Sequence, residues 1–255
     1  MSFSVDLVSE DSFYENITLG VTRVLESDPR ITNVVVERRL PCDRLAISNW
    51  EQRHSTVLPE DLRNFYASSD GFQLTWNYKY SGKYSADEVL PVGSIRVNSL
   101  SELCLSPALK DLLDFSLARQ NAGSRPLLNT KSKVFELDTC RNIGKVCLIS
   151  TNGTWSIWLA TREGAWGWLA DSFTHYFRMG IVHLGLPGWQ AAFSNLPLIP
   201  WAEQLFLLLA PHLLEKTETE NNTIAIGNET GLNHIDPNIF KMSARHHKAT
   251  RQINQ

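Results

Sequence analysis

The clearest hydrophobic pattern in the chain runs through residues 72–80, where every second position carries a large apolar or aromatic side chain: Phe72, Leu74, Trp76, Tyr78 and Tyr80. A period of two is typical of a β-strand that buries one face. Just before it, Pro59 and two acidic residues open a segment with helical spacing, which Gly71 ends. Proline suits a helix start and glycine a helix end, so the pattern predicts a helix followed by an aromatic-faced strand.

The residues before this unit predict one helix, one strand and a short helical turn. Apolar positions at spacings of three and four predict an amphipathic helix over residues 12–27, and the β-branched run at 32–39 predicts a strand. Ser48 and Glu51 form a capping-box pattern that would open a helical turn carrying Trp50.

The middle of the chain predicts a β-meander. A strand is predicted at 89–97, with Pro91 near its start, which favours an edge position. Residues 105–131 are interpreted as an insertion. Short polar turns then separate four further predicted strands, at 133–138, 145–150, 154–160 and 165–170. Strands joined by such short turns are typical of an antiparallel sheet.

The last third is predicted to be helical and then polar. Asp171 or Ser172 would cap a helix, and Pro187 and Pro200 each suit the start of another. From residue 216 the composition is rich in Asn, Thr and Glu, which is typical of a flexible tail. The interpretation is therefore a single α+β domain over residues 1–215, with a mostly antiparallel sheet, helices packed on one face, and a tail at 216–255.

Composition narrows the possible functions. The formal net charge is -3 and the sequence pI is near 6.2, which argues against a general nucleic-acid binder. The start of the chain has no basic-then-apolar pattern, and the longest apolar run, residues 205–210, is far shorter than a membrane span. The four cysteines form no Cys-x-x-Cys pair. We therefore predict a soluble intracellular protein with reduced thiols.

Candidate catalytic chemistry is sparse. Cys140 and Cys147 have His175 and His183 downstream, but both cysteines fall in or beside apolar predicted strands, where structural thiols are the rule. Asp171 and His175 would share one helix face, yet two ligands do not make a zinc site. Phosphate-cradling and nucleophile-elbow motifs are missing from the sequence. The pattern favours a non-catalytic protein without a cofactor or a metal.

Two features favour protein binding. Trp155 and Trp158 would lie on opposite faces of one strand, so at least one tryptophan is expected to face away from the core. For Trp189 a core position and an interface position both stay open. The second feature is an apolar segment at 232–240 inside the polar tail, which suits docking to a partner. The basic end of the tail is either a contact for an acidic partner or a solvated terminus.

Several blocks of the sequence are similar to known proteins. The segment SNWEQRHSTVLPEDLRNFYASSDGFQLTW at 48–76 resembles the signature of the Smi1/Knr4 superfamily. Together with VGSIRVNSLSEL at 92–103, VFELDTCRNIGKVCL at 134–148, HLGLPGWQAAF at 183–193 and LNHIDPNIF at 232–240, it resembles a family of non-catalytic subunits of tubulin polyglutamylase complexes.

That resemblance implies a scaffold role beside several partners: a tubulin-tyrosine-ligase-like catalytic subunit, the complex's subunit 1, a leucine-rich-repeat subunit and nicolin. Contact with tubulin and microtubules would be indirect. The expected location is the cytoplasm and cytoskeleton, including centriolar satellites of the centrosome and the basal body of the cilium. From the quoted blocks we take ten candidates for partner binding: Trp50, Trp76, Leu186, Pro187, Trp189, Phe193, Leu232, Ile235, Ile239 and Phe240.

Two other functions stay open. The first is a free-standing Smi1/Knr4-type adaptor or inhibitor that recognises one partner through a surface groove. The second is an enzyme that uses Cys147 or the Asp171–His175 face.

Overall fold

The computed structural model of the chain describes residues 10–80, 88–106, 126, 128–140, 143–194 and 196–214. The predicted tail at 216–255, with its apolar segment 232–240, lies outside the described residues. Most of the predicted insertion at 105–131 lies outside them as well.

Seven α-helices and seven strands make up the described part of the chain. The helices are α1 (Glu10–Thr18), α2 (Val21–Glu26), α3 (Arg44–His54), α4 (Glu60–Tyr66), α5 (Phe173–Val182), α6 (Trp189–Phe193) and α7 (Pro200–Leu209), followed by a 3₁₀ turn at Pro211–Leu213. The strands are β1 (Ile31–Glu37), β2 (Phe72–Tyr80), β3 (Glu88–Val97), β4 (Lys133–Cys140), β5 (Gly144–Thr151), β6 (Thr154–Thr161) and β7 (Trp166–Ala170). None of these helices has both the length and the apolar character that a membrane crossing requires.

The strands form two antiparallel sheets. Sheet A has the order β1-β2-β3, and sheet B is the predicted meander, β4-β5-β6-β7. The α+β class is confirmed, with the strands divided between two sheets instead of one. Strands β3 and β4 each lie at the edge of their sheet, and the two edges are joined where the backbone N–H of Asn98, directly after β3, donates to the carbonyl of Leu137 on β4.

Two helix predictions need correction. The single helix predicted over residues 12–27 is interrupted, because Leu19 and Gly20 both have positive φ (53° and 73°), a conformation that ends α1 and lets α2 start afresh. The turn predicted to open at Ser48 is part of a longer helix, α3. Its N-cap is Asp43, whose carboxylate accepts a hydrogen bond from the backbone N–H of Leu45.

The main core lies between the two sheets and the helices. Strand β2 alternates as predicted, with Phe72, Leu74, Trp76 and Tyr78 buried. Phenylalanine rings join α4 to α5 and α5 to β2: Phe65 lies 4.8 Å from Phe173, and Phe72 lies 5.0 Å from Phe177, centroid to centroid. Helix α5 therefore packs on the aromatic face of β2 and on α4 at the same time.

A carboxylate connects the starts of α4 and α5. Asp61, in the first turn of α4, accepts hydrogen bonds from the backbone N–H of Thr174 (2.8 Å) and from its hydroxyl (3.1 Å). Ser172, one of the two predicted caps, is the N-cap of α5 and accepts from the backbone N–H of His175. The free N–H groups at the start of α5 are thus paired by side chains from two elements.

Sheet B carries a second, smaller cluster on its far face. Trp158 and Trp166 are buried there together with Cys147, whereas Trp155 packs against the main core. The two tryptophans of β6 therefore face opposite sides, as the alternation predicted. Trp158 does face away from the main core, but it remains only 8% exposed, because its neighbours on the same face cover it.

The indole of Trp76 is packed over a glycine in the neighbouring strand. An added Cβ at Gly93 would lie 1.8 Å from the indole nitrogen of Trp76. The ring is unable to move aside freely, because that nitrogen donates a 2.8 Å hydrogen bond to the carbonyl of Leu184. Glycine at position 93 is therefore required by the ring above it.

We expect Gly93→Ala to lower the free energy of unfolding by about 2 kcal/mol or more, because the methyl group displaces a buried indole. The neighbouring variant Ser94→Ala changes an exposed side chain and should stay within about 0.5 kcal/mol of the wild type. Chemical denaturation of both variants measures the difference. Equal stability of the two variants would contradict the packing described.

Candidate functional site

A groove opens where the edge strands β3 and β4 diverge. At its closed end Asn98 joins them: its N–H donates to the carbonyl of Leu137 (2.9 Å), and its side-chain amide donates to the carbonyl of Glu136 (3.2 Å). Away from this junction the strands separate around a cavity of about 300 Å³. Pro91 and Ile143 lie among its lining residues farther from the junction.

The floor of the groove is the corner that links α5 to α6. Leu184, Gly185 and Gly188 all have positive φ (56°, 63° and 80°), which folds the chain back on itself within a few residues. The carbonyl of Gly185 accepts a 2.8 Å hydrogen bond from the N–H of Ser94 on β3. An added Cβ at Gly185 would lie 2.9 Å from the backbone of Ser94, so the corner and the strand are in close backbone contact.

The structure brings four of the predicted partner-binding residues together at this groove: Trp76, Leu186, Pro187 and Trp189. Trp50 lies elsewhere, where its ring packs 4.9 Å from that of Phe135 and its nitrogen donates to the carbonyl of Leu103. Phe193 is half-buried beside Trp168. The other four candidates, Leu232, Ile235, Ile239 and Phe240, lie outside the described residues.

Most of these aromatic candidates are core residues. Trp50, Trp76, Leu186 and Trp189 are each at most 6% exposed. For Trp189 the two open alternatives resolve toward the core, since its ring stacks on His183 at 5.7 Å and packs 5.4 Å from Tyr176. Pro187 and Phe193 keep partial exposure. The three buried candidates at the groove, Trp76, Leu186 and Trp189, therefore shape it by packing, instead of presenting an exposed anchor.

A buried carboxyl that the sequence reasoning missed lies in the wall of the groove. Strand β4 contains a bulge between Glu136 and Asp138, which leaves Leu137 unpaired with β5. A bulge turns the following side chains to the other face of the strand. Thr139 thus hydrogen-bonds Glu136 (2.6 Å), while Cys140 joins the main core. Asp138 shares the core side with Cys140 and is 5% exposed.

Burial changes the acidity of this carboxyl. Removal from water raises the pKa of Asp138 to about 7, and the nearby carboxylate of Glu136 also raises it. The guanidinium of Arg96 and the N–H of Thr139 act in the opposite direction, but they do not compensate for the lost hydration. The pKa values of two neighbours, the Cys140 thiol and the Tyr176 hydroxyl, are also raised. Burial is the main cause in both, and the charge of Asp138 adds to it.

The two cysteines considered as nucleophiles are packed as structural thiols. Cys140 and Cys147 are buried, and burial raises the pKa of both thiols, so the reactive thiolate is disfavoured. Within the described residues the thiol of Cys147 donates only to the carbonyl of Lys145 on its own strand, 3.7 Å away. His183 is enclosed by aromatic rings and bonds the carbonyl of Met179 through Nδ1 (2.8 Å).

Asp171 and His175, the pair considered as metal ligands, are engaged in structural contacts at the start of α5. Asp171 accepts a 3.1 Å hydrogen bond from the indole nitrogen of Trp168, and the ring of His175 packs 6.4 Å from the same indole. In the part of the chain that the structure describes, His, Cys, Asp and Glu side chains form no group of three or more that would hold a metal ion.

Helix α7 presents an exposed apolar face beside the groove. Trp201, Leu207 and Leu208 are 47%, 59% and 51% exposed, whereas Ala202 and Phe206 on the opposite side are buried. Trp201 also lines the groove. Trp201 thus connects the groove to the outer face of α7.

Comparison with known proteins gives the class of this fold. The profile of the SMI1 / KNR4 family (SUKH-1) matches residues 41–179, which is more than half of the chain. The match includes helices α3 and α4, both sheets except β1, and most of α5. The chain therefore belongs to the SMI1 / KNR4 family.

Similar proteins narrow this further. The chain is 38% identical over 249 residues to tubulin polyglutamylase complex subunit 2 of Rattus norvegicus, covering 89% of this chain and 80% of the relative. It is 38% identical over 216 residues to the Mus musculus protein of the same name (77% and 71%) and 36% over 248 residues to that of Homo sapiens (89% and 79%). The chain belongs to the family of these subunit 2 proteins.

We expect the raised pKa of Asp138 to make stability depend on pH. Its ordinary pKa of 3.8 in the unfolded chain is lower than its pKa of about 7 in the folded chain. Between these values the unfolded state has released the proton and the native state retains it, so stability falls as pH rises from about 4 to about 7. Asp138→Asn removes this dependence.

Urea unfolding at pH 5 and pH 8 measures the effect. From pH 5 to pH 8 the wild type should lose about 2–3 kcal/mol of its free energy of unfolding relative to the Asn variant, because each unit of pKa difference corresponds to about 1.4 kcal/mol. The charged and titratable groups near Asp138 are Arg96 on β3, Glu136 and Cys140 on β4, and Tyr176 on α5. The matched control Glu163→Gln changes an exposed carboxylate in a hairpin turn, and its curve should parallel the wild type. Parallel curves for both variants would contradict the assignment.

Thiol labelling tests the nucleophile hypothesis. All four cysteines are free, and Cys104 is the exposed one. We expect a thiol-reactive reagent at neutral pH to modify Cys104 rapidly and to reach Cys140 and Cys147 only when the protein unfolds. Cys104→Ser should abolish the fast phase. A fast phase that persists in this variant and maps to Cys147 would support the enzyme hypothesis.

Proposed function

We propose that the chain is a non-catalytic scaffold subunit of a tubulin polyglutamylase complex, in which a separate tubulin-tyrosine-ligase-like subunit adds glutamate to tubulin. The other partners would be those implied by the sequence resemblance, namely subunit 1, a leucine-rich-repeat subunit and nicolin. Its place would be the cytoplasm and cytoskeleton, including centriolar satellites of the centrosome and the basal body of the cilium, with tubulin and microtubules met indirectly.

The proposal is supported first by family membership. Three relatives at 36–38% identity carry the name of a complex subunit. The histidine and cysteine side chains considered for catalysis support it as well, since they are packed as core or structural groups. A chain whose polar chemistry is used for packing is suited to holding other proteins.

The observation that carries the proposal is the exposed apolar face of α7. Helices of monomeric proteins normally direct Leu and Trp to the core, and contiguous exposed apolar patches mark interaction sites. Trp201 and Leu208 lie seven positions apart, two helical turns along one side, with half-buried Leu205 between them. This spacing suits an apolar groove on a partner subunit, with Trp201 as a rigid anchor.

Recovery of the tagged chain from a ciliated cell tests the proposal. We expect the wild type to recover the tubulin-tyrosine-ligase-like subunit. Leu208→Glu should lower this recovery roughly tenfold or more, because it places a charge at the centre of the apolar face. The matched control Glu203→Gln changes one charge at an exposed position of the same helix that is turned away from Trp201 and Leu208, and it should leave recovery unchanged.

The result separates the possible functions. Recovery of the wild type without any ligase-like subunit would overturn the scaffold proposal. In that case a single different partner would indicate the free-standing Smi1/Knr4-type adaptor. Equal loss in both helix variants would show that α7 is not the contact face.

A further inference from the structure

The outer face of α7 carries a stripe of apolar side chains. Trp201 and Leu208 are 47% and 51% exposed, and Leu205 between them is half-buried. Positions 201, 205 and 208 follow one side of a helix, so we call these three residues the α7 stripe. Contiguous exposed apolar surface marks a contact site. The occupant of the α7 stripe must therefore be apolar as well.

The chain leaves the described structure at the end of this same helix. The 3₁₀ turn Pro211–Leu213 follows α7 directly, and the N–H of Leu213 bonds the carbonyl of Ala210 at 3.0 Å. Leu213 and Leu214 pack on the main core, which fixes the point where residues 215–255 begin. The tail therefore starts at the C-terminal end of the helix that carries the stripe.

The tail contains a segment whose composition matches the stripe. Residues 232–240 carry large apolar side chains close together, at Leu232, Ile235, Ile239 and Phe240. The preceding residues, 215–231, are rich in Thr, Asn and Glu. Apolar surface that is removed from water contributes about 25 cal/mol per Å². Burial of the segment against the α7 stripe would therefore remove two apolar surfaces of the same chain from water at once.

The residues between them are numerous enough to bring the segment onto the stripe. A random-coil chain as long as residues 215–231 spans roughly 20–25 Å on average. Helix α7 has 10 residues and is about 15 Å long. The linker therefore reaches every position of the α7 stripe from the end of the helix.

The covalent link also favours the chain's own segment over a second copy of the chain. A linker of this length gives an effective concentration on the order of 1 mM, which is roughly a thousandfold higher than the concentration of a second copy at about 1 µM protein. A contact that is too weak to hold two separate molecules together can thus form within one chain.

We propose that residues 232–240 dock on the α7 stripe of the same chain and cover it when no partner subunit is bound. The stripe then has two alternative occupants, the tail segment and the partner, and binds one of them at a time. Displacement of the segment by the partner rests on the proposed function, in which α7 meets another subunit. The intramolecular contact itself does not depend on that function.

Photo-crosslinking in the full-length chain tests the contact. Replacement of Trp201 by p-benzoylphenylalanine exchanges a half-exposed ring for a photoreactive one. We expect its cross-links, mapped by mass spectrometry, to fall within residues 232–240 of a monomeric product. Dilution of the protein by about tenfold should leave the yield unchanged, because both groups belong to one chain. Thermal unfolding checks that the variant is folded, and Leu208 is the alternative position if it is not.

The matched control places the same photoreactive group at Leu45 of α3, which is 65% exposed. It should give roughly tenfold fewer cross-links to residues 232–240, because the segment is held at α7 and visits α3 only by chance. Cross-links that join two copies of the chain, or equal yields from the two positions, would overturn the proposal.

Charges in the segment supply a second test. Ile239→Asp together with Phe240→Asp should lower the cross-link yield from position 201 roughly fivefold or more, because a carboxylate loses hydration against an apolar stripe. The matched control Asn221→Asp with Asn222→Asp adds the same charges to the linker and should leave the yield unchanged. An undiminished yield from the charged segment would show that its apolar side chains do not make the contact.

Recovery of the full-length chain from a ciliated cell tests the displacement step. If segment and partner compete for the stripe, the Ile239/Phe240 variant should recover roughly twofold or more of the ligase-like subunit, because a larger fraction of its α7 stripe is open. The Asn221/Asn222 variant should recover as much as the wild type. Unchanged or lowered recovery by the Ile239/Phe240 variant would overturn the competition.

The two proposals fail separately, since the cross-linking uses the isolated chain and needs no complex. An intramolecular cross-link without recovery of any ligase-like subunit would keep the tail contact and remove the scaffold role. Recovery of that subunit without a cross-link to residues 232–240 would do the reverse.

Discussion

The hydrogen bond between the indole nitrogen of Trp76 and the carbonyl of Leu184 connects the two ends of the fold. It joins the central strand of sheet A to a corner 108 residues further along the chain. The ring fits only because Gly93 lacks a side chain, and the carbonyl is presented only because Leu184 and Gly185 adopt positive φ. One contact thus depends on the local conformations at three residues, and it holds the corner that forms the floor of the groove against the central strand of sheet A.

Asp138 shows how a small backbone irregularity generates chemistry in an apolar environment. The extra residue in β4 turns a carboxyl toward the core, where hydration is lost and the partial compensation by Arg96 leaves one oxygen unpaired. Buried carboxyls of this kind reduce stability unless a binding partner completes them. Leu137, the residue that the bulge leaves unpaired with β5, accepts the N–H of Asn98, so the feature that buries the carboxyl also closes one end of the groove.

Much of the fold was predictable because alternation and capping are local signals. The period of two in β2 and the short turns of the meander predicted the strands correctly, and Ser172 was among the predicted caps. The break between α1 and α2 was missed because a positive φ at Leu19 has no signature in residue type, although Gly20 was a hint. The division into two sheets depends on long-range pairing, which periodicity does not report.

The candidate site was predicted only in part. Four of the ten candidate residues meet at one groove, where the aromatic ones are buried and support its floor; that these residues bind a partner stays a prediction. Asp138 was not predicted as a buried carboxyl, because the bulge beside it decides which face of β4 it lies on, and the sequence KVFELDTC does not show that bulge. The available signal was a lone carboxylate between Leu137 and Cys140 in an apolar strand. The exposed face of α7 was missed because an all-apolar run does not show which of its sides is covered.

The start of β4 has a further consequence. Residues 104–106, which follow β3 in the chain, bond to the first residues of β4. The N–H of Ser106 donates to the carbonyl of Val134, and the N–H of Glu136 donates to the carbonyl of Cys104. The connection between the two sheets therefore departs and comes back at a single place on the rim of sheet B. Residues can be gained or lost between these points without altering the register of any strand, because loop closure costs little with added length. A module added at this junction would therefore leave the framework of both sheets intact.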